Sequence, residues 1–159
     1  MAKEINDTNH KITVAEQPAR NLAGLCARIN ISDSQKECSA LWEKFWPSME
    51  KLAPIAEEGS FGVSINMDEK GNYDYWAAMA TPPGAEETSG MSCLEVRGGK
   101  YAACTIENLA DIGEVYQYIY SEWEKTQSDY RVDPTGAWLE FYQKDWQDED
   151  PVTLYVALK

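Results

Sequence analysis

The sequence predicts an α+β fold: two strand–helix–hairpin units joined into one antiparallel sheet that carries two main helices, with a central cleft at their seam. Three observations predict it. The 159 residues suit a single domain that buries a sizeable core without a metal or a disulfide. The elements run strand, helix, hairpin, and then strand, helix, hairpin again. The two runs superpose at an offset of about 79 residues, with PARNLA at 18–23 lying over RGGKYA at 97–102. This is a repeat of pattern rather than of residues, with half-units of about 11–80 and 91–159 in one domain spanning 11–159. Two such units bury their apolar faces by sharing a sheet with both helices packed on it. The seam between two similar halves is a natural place for a concave pocket.

Residues 1–10 are polar and read as a loose tail. From Lys11 to Ile31 the chain reads as extended, with Pro18 marking an edge, bulge or strand start. A helix follows. Ser32, Asp33 and Ser34 offer N-cap oxygens, and Glu37 completes a capping-box spacing from Ser34. Cys38, Leu41, Trp42, Phe45, Met49 and Leu52 recur at helical spacing. Pro47 predicts a kink or break near Trp46. FGVSIN (61–66) and YDYWAAMA (73–80) form a hairpin through the turn MDEKGN. TPPGAEETSG (81–90) is a loop. Met91–Glu107 is extended, broken at Gly98 and Gly99. A second helix begins near Asp111, with Ile112, Val115, Tyr116, Ile119, Tyr120 and Trp123 on its apolar face. Trp138–Lys144 and Val152–Leu158 are the last two strands, joined across the acidic turn DWQDEDP.

Composition narrows the function. Lys and Arg number 14 against 27 Asp and Glu, a formal net charge of −13. Such a surface repels phosphate backbones and anionic membranes and concentrates cations. No direct nucleic-acid partner is expected, and no apolar run approaches membrane-spanning length. The four cysteines, at 26, 38, 93 and 104, form no CxxC pair and complete no zinc pattern with His. With no apolar leader at the N-terminus, the expectation is a cytoplasmic protein with reduced thiols. No metal is expected, since DWQDED lacks the spacing of a calcium loop. No cofactor is expected either, since GNY, GGK and PPG are turn glycines rather than phosphate loops. His10, the single histidine, stands in the tail, so no nucleophilic triad can be assembled.

The chemistry concentrates in aromatic residues. Six Trp and nine Tyr stand against three Phe, favouring side chains with a large apolar body and a polar tip. In the strand WLEFY, period-two alternation puts Trp138, Glu140 and Tyr142 on one face and Leu139 and Phe141 on the other. A buried carboxylate between two aromatics needs a partner or a raised pKa, and a cationic ligand is one such partner. The bland alternative is a solvent-facing Glu on a half-exposed strand. Trp42, Phe45, Trp46 and Trp123 read first as helix core, with Trp46, beside Pro47, placed at a cleft mouth.

The run QPARNLAGLCAR, the helix end LWEKFWP, the hairpin GVSIN…YDYWAAM, the stretch MSCLEVRGGKYAACTIEN, YQYIYSEW, LEFY and VTLYVAL stand in an order and spacing that resemble the GyrI-like small-molecule-binding superfamily. Its members include effector domains of multidrug regulators and stand-alone proteins. The resemblance covers nearly the whole chain from Lys11 onward. It implies a duplicated strand–helix–hairpin fold around an aromatic cleft, with an acidic residue that neutralises a cationic ligand at the position of Glu140. It matches Thr153 and Tyr155 to facing positions on the final strand, and Tyr75, Trp76, Ala77 and Ala78 to a hairpin motif whose last residue is ordinarily Gly. Trp76 is favoured as pocket-facing because the repeat pairs it with Tyr155, and Tyr75 remains a candidate. The implied ligand contacts are therefore Glu140, Trp138, Tyr142, Trp76, Tyr75, Tyr155, Thr153 and Trp46. The implied activity is binding of a small, aromatic, cationic molecule by a stand-alone domain without a DNA-reading segment. A protein partner or a homodimer is compatible with it. Two alternatives stay open. One is hydrolysis of reactive electrophiles, with Glu140 activating water and Tyr75 or Tyr142 donating a proton. The other is inhibition of a protein partner, as the superfamily's name-giving gyrase inhibitor does.

Overall fold

The computed structural model describes residues 11–84, 91–147 and 149–159. The expected tail at 1–10 and most of the 81–90 loop lie outside the described residues. The first half of the chain forms β1 (Thr13–Gln17), β2 (Arg20–Asn30), α1 (Ser34–Phe45), α2 (Met49–Leu52), β3 (Ser60–Ile65) and β4 (Asn72–Ala80). The second forms β5 (Ser92–Val96), β6 (Gly99–Ile106), α3 (Ile112–Tyr118), β7 (Trp138–Tyr142) and β8 (Val152–Ala157). All eight strands join one sheet in the order β1-β6-β8-β7-β3-β4-β2-β5, and every pairing is antiparallel. The duplicated α+β architecture is thus present, with the halves meeting where β3 pairs with β7.

The N-caps differ from expectation. In both halves a 3-10 turn precedes the helix, and it is capped by an asparagine. The Asn30 side chain accepts from the Ser32 N–H at 2.9 Å, and Asn108 accepts from the Ala110 N–H at 2.9 Å. Asp33 makes no capping bond, and the Ser34 hydroxyl is hydrogen-bonded to the Tyr73 hydroxyl at 2.7 Å. The chain is already helical when it reaches Ser34, so the orphan donors have been met one turn earlier. Pro47 does end α1. The chain runs through a 3-10 turn, Trp46–Ser48, into α2. The second helix continues past α3 as a π-helical turn, Ile119–Trp123, and a 3-10 turn, Glu124–Thr126.

The sheet cannot be flat. β1 and β2 stand six positions apart in it, as do β5 and β6. Six strand spacings would span about 29 Å on a plane. Yet only Pro18 and Ala19 join β1 to β2, and only Arg97 and Gly98 join β5 to β6. Three Cα steps reach at most about 11 Å. The sheet therefore curls until its two ends meet, and the two connectors cross there. A Cβ on Gly98 would sit 2.6 Å from the Ala19 nitrogen and 2.9 Å from the Gln17 carbonyl oxygen.

Curling gives the sheet an inner and an outer face. The inner face is packed by Leu22, Phe61, Val63, Trp76, Tyr101 and Leu139, all buried. On the outer face α1 packs Leu41 and Phe45 against Ile29, Tyr73 and Ala77. The other helix packs Val115 and Ile119 against Cys104, Leu154 and Val156. No disulfide links the four cysteines, and burial pushes the thiols of Cys38 and Cys104 up to about 11. Among the described residues no helix is long and apolar enough to cross a membrane.

The crossing of the two connectors generates a prediction. Gly98→Ala, whose methyl meets rigid backbone, should lower the unfolding free energy in urea by about 1–3 kcal/mol. Gly113→Ala, in the first turn of α3 with open space around the added methyl, should leave it unchanged or raise it by about 0.5 kcal/mol. Equal effects of the two would mean that the connectors do not pin the closure.

Candidate functional site

The two helices flank a groove on the outer face of the sheet, above β3. On that face β3 carries only Ser60, Gly62 and Ser64. They stand opposite Tyr142, Glu140 and Trp138 on β7 and opposite Met79, Ala77 and Tyr75 on β4. Small residues on the central strand leave the space that large ones on its neighbours surround. The result is a cleft of about 1640 Å³. One wall is Trp42 of α1, packed edge-on against Tyr142 at 5.5 Å between ring centroids, with Trp146 behind Tyr142 at 5.2 Å. The other wall is Tyr116 and Tyr120, whose rings lie 4.8 and 6.3 Å from that of Trp138.

Glu140 lies at the base of the cleft, 7% exposed. The Tyr142 hydroxyl donates to its Oε1 at 2.8 Å and the Tyr75 hydroxyl donates to the same oxygen at 3.0 Å. The Trp42 indole N–H donates in turn to the Tyr75 oxygen at 2.9 Å. With both phenols on Oε1, the carboxylate keeps acceptor capacity on Oε2. The ion pairs among the described residues lie elsewhere, at Arg20–Glu58, Arg28–Asp68, Arg28–Asp74 and Arg97–Asp133, so no cation among the described residues balances Glu140. Burial raises its pKa above the ordinary carboxyl value, against the opposing pull of the two phenol hydrogen bonds. Burial, and then the neighbouring Glu140 charge, raises both phenols well above the usual tyrosine range, so they stay protonated donors.

The carboxylate depends on an absence opposite it. A Cβ on Gly62 would collide with the Tyr75 hydroxyl and lie 2.6 Å from Glu140 Oε1. Gly62 is the cross-strand partner of Glu140 and also its counterpart in the other half, 78 residues earlier. The repeat thus places a carboxylate in one half and a vacancy for it in the other.

Of the residues expected to line the cleft, the structure brings together Glu140, Trp138, Tyr142, Tyr75 and Trp46, the last at the mouth and 64% exposed. Trp76, Tyr155 and Thr153 are corrected. Trp76 and Tyr155 belong to the inner face, Tyr155 edge-on to Tyr101 at 6.3 Å. Thr153 stands opposite Phe141 and beside Thr105, its hydroxyl 3.1 Å from that of Thr105. Trp76, opposite Val63, and Tyr155, opposite Leu139, both point inward, because alternation on a curled sheet sends Tyr75 out and Trp76 in. Trp42, Tyr116 and Tyr120, which stand on the expected core stripes of the two helices, line the cleft instead. Gly62 and Trp146 carried no signal of their own, whereas the i, i+4 pairs Trp42/Trp46 and Tyr116/Tyr120 marked a stripe richer in polar-tipped rings than a core needs.

Among solved structures, SAV2435 bound to tetraphenylphosphonium shares this fold with a TM-score of 0.75 at 14% identity, over 94% of each chain. The integron cassette protein VCH_CASS2 from the mobile metagenome of Vibrio cholerae follows with a TM-score of 0.67 at 17% identity, over 95% of this chain and 98% of that one. A hydrolase from Listeria innocua superposes with a TM-score of 0.54 at 11% identity, over 99% and 96%. No curated protein sequence matches the chain. Fold and family model together define the class, a small-molecule effector-binding domain of the GyrI-like superfamily. The chain belongs to the Cass2 family of integron-associated effector binding proteins, whose model matches residues 13–158.

The unbalanced charge of Glu140 predicts a pH-dependent cost to the fold. A carboxyl whose folded pKa lies above its unfolded value favours folding below the unfolded pKa and loses that contribution as pH rises through the folded pKa. Glu140→Gln, isosteric with the protonated acid, should therefore raise the melting temperature at pH 7 by about 2–4 °C, the equivalent of roughly 1 kcal/mol. The gain should vanish below about pH 4, as the ordinary carboxyl value is passed. Thermal melts of both proteins across that range check it. A mutant less stable than wild type at pH 7 would mean that the charge is compensated within the protein.

Proposed function

We propose that the cleft binds hydrophobic organic cations bearing aromatic rings, with Glu140 as the counter-charge and Trp138, Tyr142, Tyr75 and Trp42 as the surfaces around it. The observation that carries this reading is a carboxylate 7% exposed, with no basic partner among the described residues, set among aromatic rings in an open cleft. A buried charge without a partner is destabilising, and it persists where a ligand supplies the missing charge. At an effective dielectric near 20, a cation about 4 Å away gains roughly 4 kcal/mol of Coulomb energy, much of it offset by desolvation. Each aromatic face against the cation adds roughly 0.5–2 kcal/mol. The tetraphenylphosphonium held by SAV2435 is of this ligand class. Such a domain, placed in the cytoplasm, would sequester its ligand or pass a signal to a protein partner.

Hydrolysis of an electrophile is a second reading, supported by the Listeria innocua hydrolase of the same fold and by a buried carboxyl of raised pKa, a property suited to a general base. The hydrogen bonds favour binding over it, because both phenol protons are already committed to Glu140 Oε1.

The test is calorimetry with tetraphenylphosphonium and the neutral triphenylphosphine oxide. Glu140→Gln should weaken the cation by on the order of 1–3 kcal/mol, roughly ten- to a hundredfold, and the neutral ligand much less. Cation affinity for wild type should fall as pH drops through the raised pKa of Glu140. Equal losses for both ligands would mean that Glu140 shapes the cleft without reading charge. Turnover of an aryl epoxide by the same sample would favour the hydrolytic reading.

A further inference from the structure

The carboxylate at the base of the cleft is satisfied on one side only. The Tyr142 and Tyr75 hydroxyls both donate to Oε1, at 2.8 and 3.0 Å. The Trp42 indole N–H can only donate, so at 2.9 Å it uses the Tyr75 oxygen as an acceptor and leaves the Tyr75 proton to Glu140. Oε2 has no hydrogen-bond partner among the described residues. Thr81 Oγ1 is the single side-chain oxygen or nitrogen among those residues that is both shut off from solvent and unpartnered. Oε2 is therefore unpartnered without being shut off. It opens into the cleft that Glu140 lines, from a residue only 7% exposed.

The floor beside it is polar in the same way. Ser60 and Ser64 stand on either side of Gly62, the cross-strand partner of Glu140, and both line the cleft. Ser60 is buried, and neither hydroxyl has a hydrogen bond among the described residues. A quaternary cation has no hydrogen to donate to such a floor and is held by ring faces and charge alone. Its methyl groups stop about 3.3 Å from an oxygen, with the nitrogen behind them. An N–H closes to about 2.7–2.9 Å from a carboxylate oxygen. A buried acceptor left unmet is costly, so a site built around one discriminates against ligands that lack the donor.

We infer that the cleft selects protonated amines, cations with at least one N–H on the charged atom, over quaternary ammonium and phosphonium ions of the same size. The N–H donates to Glu140 Oε2, and the aromatic part of the ligand lies against Trp138 and Tyr142. The inference rests on the cation-binding reading proposed above and narrows its ligand class. Tetraphenylphosphonium meets the charge of Glu140 and leaves Oε2 without a donor. A protonated amine gives up more hydration than a quaternary ion on entering, so the net preference is smaller than the hydrogen bond alone would give.

The test is calorimetry at pH 7 with two isomeric cations, (2-naphthylmethyl)ethylmethylammonium and (2-naphthylmethyl)trimethylammonium. They share formula, charge and ring, and only the first has an N–H. Wild type should bind the first about tenfold tighter. In Glu140→Gln the amide oxygen takes the two phenol hydrogen bonds and the NH₂, which cannot accept, faces the cleft. That variant should weaken both cations and bring them within about twofold of each other. Equal affinities in wild type, a tighter quaternary ion, or a preference that survives Glu140→Gln undiminished would each overturn the selection for N–H while leaving the charge reading in place. Two cations whose affinities both ignore Glu140→Gln would instead overturn the parent reading, and this inference with it.

Discussion

Two residues of chain join β1 to β2, and two join β5 to β6, although each pair stands six positions apart in the sheet. That shortness forces the sheet to curl, and the curl decides which face can hold a ligand. The inner face closes on itself and fills with Phe61, Trp76, Tyr101 and Leu139. The outer face is left to the helices. Each covers one half of the sheet and leaves the seam between β3 and β7 bare. The edge strands are exchanged as well. β1 pairs with β6 of the other half, and β5 pairs with β2. Neither half completes its sheet alone, so the cleft at the seam is built on a floor that both halves hold in place.

The pseudo-symmetry of the floor is broken at the point where it matters most. Gly62 and Glu140 are cross-strand partners and repeat counterparts, so the local pseudo-twofold axis passes between them. Two carboxylates facing each other at such an axis would repel, and one proton would be held between them. A glycine opposite a glutamate removes that conflict and makes room for the Tyr75 hydroxyl to reach Oε1. Neighbouring pairs follow the same logic. Ser60 and Ser64 stand opposite Tyr142 and Trp138, so the small half of the repeat supplies space and the large half supplies contact area. Duplication provides the frame, and divergence of three floor positions provides the site.

The phenol–carboxylate cluster also explains how a lone buried charge persists. Two charge-assisted hydrogen bonds to Oε1 and the Trp42 indole behind Tyr75 hold the carboxylate in one orientation. Those bonds reduce the cost of burial without neutralising the charge. The remaining cost is a reservoir that a bound cation relieves, which ties ligand affinity to fold stability through one residue.

Much of this was legible in the sequence. The order of elements, the offset near 79 residues, the break at Pro47 and the face shared by Trp138, Glu140 and Tyr142 all follow from local rules. Side-chain period, proline geometry and turn composition act over a few residues and need no knowledge of the rest of the chain. Trp76 shows where those rules stop. Alternation requires that Tyr75 and Trp76 point to opposite faces, but it cannot say which face is closed inside the curl and which is open between the helices. That depends on two connectors meeting across the whole sheet. Gly62 is the same case: a glycine in a strand reads as a weakness until Tyr75 and Glu140, distant in the chain, converge on its missing side chain. The sequence by itself determined which residues share a face. Only the tertiary structure decided which face is the site, because the inside and outside of a curled sheet are set by closure, a long-range property that no local period encodes.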